Sequence, residues 1–141
     1  MVRKFILTCL SYLLSNAVVS VVQSITAQEA LAYVNSPDAI FLDVREPAEY
    51  ESGHVAGSIL MPWFGGVLQE RWNELPADKL IIVYCAFGSR SASAASFLES
   101  KGFARVANMG KYSSFAALPN APIETGPYQE PSAVSDWESY K

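Results

Sequence analysis

Leu80-Ile81-Ile82-Val83-Tyr84-Cys85-Ala86-Phe87-Gly88-Ser89-Arg90-Ser91 is the stretch on which the reading of this 141-residue chain turns. Its first five residues form an almost continuous apolar run. That is the pattern of a central parallel strand covered on both faces, where polar alternation is not required. The run stops at Cys85, passes through a loop containing Gly88, and enters a segment, residues 89–100, expected to be a helix burying Ala92, Ala95, Phe97 and Leu98 before Gly102 closes it. Strand, tight loop and helix in immediate succession place Cys85 at the carboxyl end of one element and the amino end of the next. In open α/β sheets that edge is where sites are built.

Working outward, Ala39-Ile40-Phe41-Leu42-Asp43-Val44 reads as a second buried strand and residues 58–61 as a short one stopped by Pro62. Residues 105–109 read as a strand ending at Gly110, and the β-branched residues 18–22 as a first strand. Between them, Thr26-Ala27-Gln28-Glu29 is a capping box. It opens a helix to about Val34, with Ala30, Leu31 and Val34 facing inward, and Ser36-Pro37-Asp38 breaks it. Residues 47–51 fit a turn of helix ended by Gly53. Residues 63–74 fit a loop with a helical turn that packs Trp63, Phe64, Leu68 and Trp72 against the body. Strands alternating with helices imply an open α/β sheet, and the length suits one domain. No internal repeat is present.

Composition narrows the function. Hydrophobic residues at 50% and charged residues at 17% supply a core and exclude a disordered chain. The formal net charge is −4 with no basic cluster, so nucleic acid is not an expected partner. With His54 the single histidine, and Cys85 the single cysteine outside the amino-terminal segment, no Cys/His zinc site can be assembled, and neither metal nor cofactor is expected.

The amino end has the makings of an export signal. Arg3 and Lys4 precede an almost wholly apolar run at 5–14, and Ser15-Asn16-Ala17 offers small residues at the positions a signal peptidase inspects. We expect residues 1–17 to be the signal, with cleavage between 17 and 24 and a periplasmic or secreted product; Val18-Val19-Ser20 and Val22-Gln23-Ser24 are alternative cleavage sites. An uncleaved anchor is the competing reading, since 5–22 approaches bilayer length, although Ser11, Ser15, Asn16 and Ser20 interrupt it. Cleavage removes Arg3, Lys4 and Cys9, so the mature chain is more acidic, keeps Cys85 as its single thiol, has no internal disulfide and makes no stable membrane insertion. The folded domain is expected over 18–126 and an irregular tail over 127–141.

Chemistry gathers on the 85–90 loop. Successive backbone N–H groups at the start of a helix make an anion cradle, and the helix dipole adds partial positive charge. Both favour a thiolate at Cys85. Ala86, Gly88 and Ser89 are small enough for the backbone to approach the sulfur, Phe87 lies at the pocket mouth or packs the loop, and Arg90 adds a fixed cation. Cys85 is the candidate nucleophile, and Ala86, Phe87, Gly88, Ser89 and Arg90 the candidate substrate-binding residues. A buried, inert cysteine at a strand end is the alternative.

This loop, Cys-x-x-Gly-x-Arg-Ser from Cys85 to Ser91, resembles the active-site loop of rhodanese-like sulfurtransferases. Four other segments resemble family motifs in the same order: Asp43-Val44-Arg45-Glu46; Glu49-Tyr50 followed by Gly53-His54-Val55-Ala56-Gly57-Ser58-Ile59; residues 106–110; and Ala121-Pro122-Ile123-Glu124-Thr125-Gly126. The likeness covers about residues 20–126. It implies a three-layer α/β domain with a central parallel five-stranded sheet and helices on both faces. It also implies transfer of sulfane sulfur from thiosulfate or a related donor to cyanide or a thiol, through a Cys85 persulfide and without a cofactor. A protein acceptor, or a carrier role without turnover, is the alternative. Four residues separate Cys85 from Arg90, one fewer than in the related phosphatases and arsenate reductases, so the cradle suits sulfur better than a tetrahedral oxyanion. Asp43, Arg45 and Glu49 are expected to form structural ion pairs, and His54 a hydrogen-bonded scaffold. Where the family often has a second glycine, this chain has Lys111, placed to attract an anionic donor or to point to solvent.

Overall fold

The computed structural model describes residues 22–130. The expected signal, nearly all of the strand expected at 18–22 and most of the tail lie outside the described residues.

In chain order the elements are β1 (Gln23–Ser24), α1 (Ala27–Leu31), β2 (Ala39–Asp43), α2 (Pro47–Ser52), β3 (His54–Val55), β4 (Ile59–Leu60), α3 (Val67–Arg71) with a 3-10 turn at Trp72–Glu74, β5 (Leu80–Cys85), α4 (Ser89–Ser100), β6 (Val106–Lys111), α5 (Tyr112–Ala116) and β7 (Ile123–Glu124). Five strands form one sheet in the order β1-β6-β5-β2-β4, and every pairing in it is parallel. Parallel neighbours need crossovers, and helices supply them on both faces. The layered α/β fold expected from the sequence is the fold found.

The central strand β5 explains the layering. Ile81, Val83 and Cys85 face one core with Leu68 of α3 and Ala94, Ala95 and Leu98 of α4. Ile82 and Tyr84 face the other, with Ala30 of α1 and Phe115 of α5. A strand buried on both faces has no polar side to show, which is why its sequence does not alternate.

Several local expectations shift. On α4 the buried residues are Ser91, Ala94, Ala95 and Leu98, while Ala92 is exposed and Phe97 half-buried. The spacing i, i+3, i+4, i+7 is a regular helical stripe, but it begins on a serine, so hydrophobicity alone starts it one residue late. Phe64 does not pack against the body; it is 61% exposed. Helix α1 keeps its predicted capping box at Thr26 and Glu29 but ends at Leu31. Turns follow it to Asn35, which takes a left-handed φ of 64°. The edge strand β1 pairs with Ala107 and Asn108 just beyond the β-branched run expected to supply it. Helix α5 and the antiparallel β3–β7 pair (His54 opposite Glu124) were not foreseen. Two-residue strands carry too little pattern to register.

Candidate active site

Cys85 ends β5, and Gly88, the N-cap of α4, takes a left-handed φ of 97° that a side chain would strain. A Cβ there would also lie 3.9 Å from the Gly110 backbone, so the loop rests against the end of β6. This turn folds the loop back over the sulfur. Glycine offers no side chain to cap α4, and the cysteine sulfur takes that place. Sγ accepts the Gly88 N–H at 3.0 Å and the Ser91 N–H at 3.3 Å. Ser91 is the third helical residue, whose amide has no partner inside the helix and normally bonds to an N-cap oxygen.

The thiol proton has a path as well. Sγ–H donates to Ser91 Oγ at 3.4 Å, and the Ser91 hydroxyl donates to the Gly88 carbonyl at 3.0 Å. Once Cys85 ionises, the Ser91 hydroxyl can turn its proton to the sulfur. Burial pushes the thiol up, but the Ser91 hydroxyl and the amides of Ser91, Gly88 and Phe87 outweigh it, and the net shift is down. Cys85 belongs to the apolar core on one side and to this polar cradle on the other, so it is not sealed in hydrocarbon. It has no exposed surface at rest, 0%.

The remaining loop residues sit as follows. Phe87 is 82% exposed, Ser89 is exposed and Ala86 half-buried. Arg90 does not offer an open fork. Its Nη1 and Nη2 donate to Glu49 of α2 at 2.8 and 3.0 Å, and its guanidinium lies 5.4 Å from the Phe64 ring centroid. Glu49 holds Arg90 raised, and Arg90 in turn holds the Glu49 carboxyl below the usual range. Lys111 is the register partner of Cys85 across β5 and β6, and its side chain is exposed.

Behind the cradle, Asp43 and Arg45 form a buried ion pair at 2.7 Å. Arg45 also donates to the Gly53 carbonyl at 2.7 Å and lies 4.2 Å from the centroid of the Tyr112 ring. This ties the ends of β2, α2 and α5 together. His54 is buried, with Nδ1 2.8 Å from the Tyr50 carbonyl and its ring stacked on Tyr50 at 3.5 Å. Tyr84, one residue before Cys85, lies 3.0 Å from the Ser58 hydroxyl and accepts the Val55 N–H at 3.1 Å. The structural ion pairs and the scaffold histidine expected from the sequence are found. Ser91 is the residue whose importance the sequence reading missed. Its signal was position, the third residue of a helix whose N-cap is glycine.

Comparison with known proteins places this geometry. Residues 26–117 match the family model described as a rhodanese-like domain. A sulfurtransferase of Allochromatium vinosum is 31% identical over 75 residues, covering 53% of this chain and 68% of that protein. YrkF of Bacillus subtilis, named a candidate sulfur carrier, is 38% identical over 77 residues, covering 54% of this chain and 40% of that protein. A rhodanese-related protein from Thermoplasma volcanium superposes with a TM-score of 0.64 at 35% identity, covering 72% of this chain and 97% of that one. A cysteine in an amide cradle at the end of the middle strand, inside a domain that matches over most of its length, leads to one statement: the chain belongs to the rhodanese-like domain family, as a homologue of its sulfurtransferases and sulfur carriers.

Proposed function

We propose that this chain is a thiosulfate-type sulfurtransferase working through a Cys85 persulfide. The observation that carries the reading is the cradle, two amides and a hydroxyl within 3.4 Å of Sγ, which holds a sulfur anion without a metal or a general base. The Cys85 thiolate attacks the outer sulfur of thiosulfate. A Cys85 S–S bond forms, the donor S–S bond breaks, and its electron pair leaves with sulfite. The persulfide anion then sits where the same donors reach it. Cyanide takes the outer sulfur as thiocyanate, or a thiolate takes it as a new persulfide, and Cys85 returns as thiolate. Ala86, Phe87, Gly88 and Ser89 surround the transferred sulfur, Arg90 braces the loop through Glu49, and Lys111 attracts the anionic donor.

A carrier role, handing the sulfur to a protein acceptor without free turnover, is the second reading. The likeness to YrkF and the exposure of Phe87 beside the sulfur support it. Intact-mass measurement before and after thiosulfate, with a thiocyanate assay, separates the two. Addition of one sulfur with multiple turnovers supports the enzyme, and addition without turnover supports the carrier. No addition on Cys85 removes both.

Residues 1–17 are proposed to direct export, on the strength of their basic start, apolar run and small-residue exit. Mass measurement of the mature chain from the exporting cell tests this, and an intact amino end would overturn cleavage.

A further inference from the structure

Between α2, the β3–β7 pair and the residues after β7 lies a cleft of about 530 Å³, within the size range of small-molecule sites. None of its lining residues belongs to the 85–91 loop, and none is a lysine or an arginine. Tyr50, Ile123, Pro127 and Tyr128 lend it apolar surface. His54 and Glu124, opposite each other in the β3–β7 register, lend it polar atoms.

The His54 side chain is only 5% exposed, yet its two ring nitrogens are served differently. Nδ1 lies 2.8 Å from the Tyr50 carbonyl, which can only accept, so Nδ1 carries a proton. In the neutral ring Nε2 is then a bare lone pair. It lies 3.6 Å from Glu124 Oε2, a second acceptor and too distant for a hydrogen bond. The stack on the Tyr50 ring at 3.5 Å fixes the imidazole plane, and the Tyr50 carbonyl fixes which nitrogen is left toward Glu124. Glu124 Oε2 accepts the Gly57 N–H at 3.3 Å, but among the described residues no donor reaches His54 Nε2. Arg45 approaches the neighbouring Gly53 carbonyl, but Asp43 neutralises it at 2.7 Å.

Two acceptors that converge on a gap without a proton require a donor from outside. A carboxylate in a cleft with no lining cation favours a donor that is positive. We infer that this cleft is a binding site for a primary organic ammonium, whose N–H groups bridge His54 Nε2 and Glu124 Oε2 while its apolar body lies in the cleft. An ammonium has three donors, so one nitrogen about 2.9 Å from both atoms serves both. The site is separate from the Cys85 cradle, and the inference does not depend on the reaction there.

The test is imidazole nitrogen NMR on the chain without a histidine tag, in which His54 is the single histidine and its signals need no assignment. The probe is phenethylammonium at about pH 8, where an alkylammonium keeps its charge. Its controls are phenethyl alcohol, which has no charge, and the trimethylated ammonium, which has charge but no N–H. The free chain is expected to show a neutral ring protonated on Nδ1, and the probe to shift the Nε2 signal saturably. Both controls should bind at least about tenfold more weakly, as loss of a charge-assisted hydrogen bond implies. Glu124→Gln should weaken the probe about threefold to fivefold, in keeping with an exposed carboxylate. A free ring protonated on both nitrogens would close the gap with its own proton and overturn the site. So would an Nε2 signal that ignores the probe, equal affinity for the trimethylated ammonium, or unchanged affinity in Glu124→Gln.

Discussion

Arg90 Nη1 lies 2.8 Å from Glu49 Oε2, a contact that spans 41 residues of sequence and joins the helix after β2 to the first turn of α4. The pair turns a cation that sequence alone offers to the substrate into a brace. Removing the carboxylate strands a mostly buried guanidinium, while Glu49 itself is about a third exposed. Glu49→Gln is therefore expected to cost about 1–2 kcal/mol by urea unfolding, below the full value of a buried pair. It should also slow persulfide formation, because the loop loses its outer support. Unchanged stability and rate would show the brace to be idle.

Ser91→Ala removes the hydroxyl beside Sγ and leaves the backbone amides in place. A hydrogen bond to a charged sulfur is worth about 1.5–3 kcal/mol, so the rate of persulfide formation near neutral pH should drop at least tenfold. The thiol pKa should rise, as read by ultraviolet absorbance of the thiolate. Cys85→Ser should abolish the persulfide and keep the fold, as circular dichroism would show. Retention of a normal titration in Ser91→Ala would count against the hydroxyl's part.

The depressed thiol has a consequence for stability against pH. Its folded pKa lies below its unfolded one, so the unfolded chain binds more protons between the two. The contribution is fully present above the unfolded thiol range, near pH 8.5, and is lost as pH falls through the folded value. Wild-type stability relative to Cys85→Ser should rise with pH across that window and then level off. A flat difference would mean the sulfur titrates alike in both states.

Asp43 is fully buried and holds Arg45, which reaches the Gly53 carbonyl. Asp43→Asn leaves a buried guanidinium uncompensated, and a loss of about 3–5 kcal/mol is expected in denaturant titration. That is a large share of the stability of a domain this size.

Lys111→Gln should raise the KM for thiosulfate severalfold with little change in kcat. The gap between variant and wild type should shrink at high salt, because exposed charges are screened over about 8–10 Å. Steady-state kinetics at two ionic strengths read this directly.

How much of this was legible beforehand follows from where the information sits. The middle strand, the cradle loop and α4 are contiguous in sequence, so apolar run, glycine and helix stripe could be read together, and β5 and α4 were expected close to where they are found. The Thr26 capping box is equally local. What escaped depends on distant partners. Arg90 looks available until Glu49 is folded beside it, and Phe64 looks like core until the Gly65-Gly66 turn is seen to hold it outward. Ser91 enters the sequence reading only as the last residue of the loop motif, and its burial against the sulfur follows from the fold. The β3–β7 pair joins residues nearly 70 apart through two rungs, too short for any periodicity.

Cys85 shows no surface to water while at rest. Peroxide and other oxidants that consume exposed thiolates meet the protein backbone first. In the proposed mechanism a persulfide on Cys85 would extend about 2 Å further, making the transferred sulfur the outermost atom. Oxidation then falls on an atom that a reductant can cut away, restoring the original thiol, whereas the same damage on a bare cysteine proceeds to sulfinic and sulfonic acids. Under the proposed mechanism the bound sulfur would shield the cysteine beneath it, an advantage wherever the surroundings are oxidising.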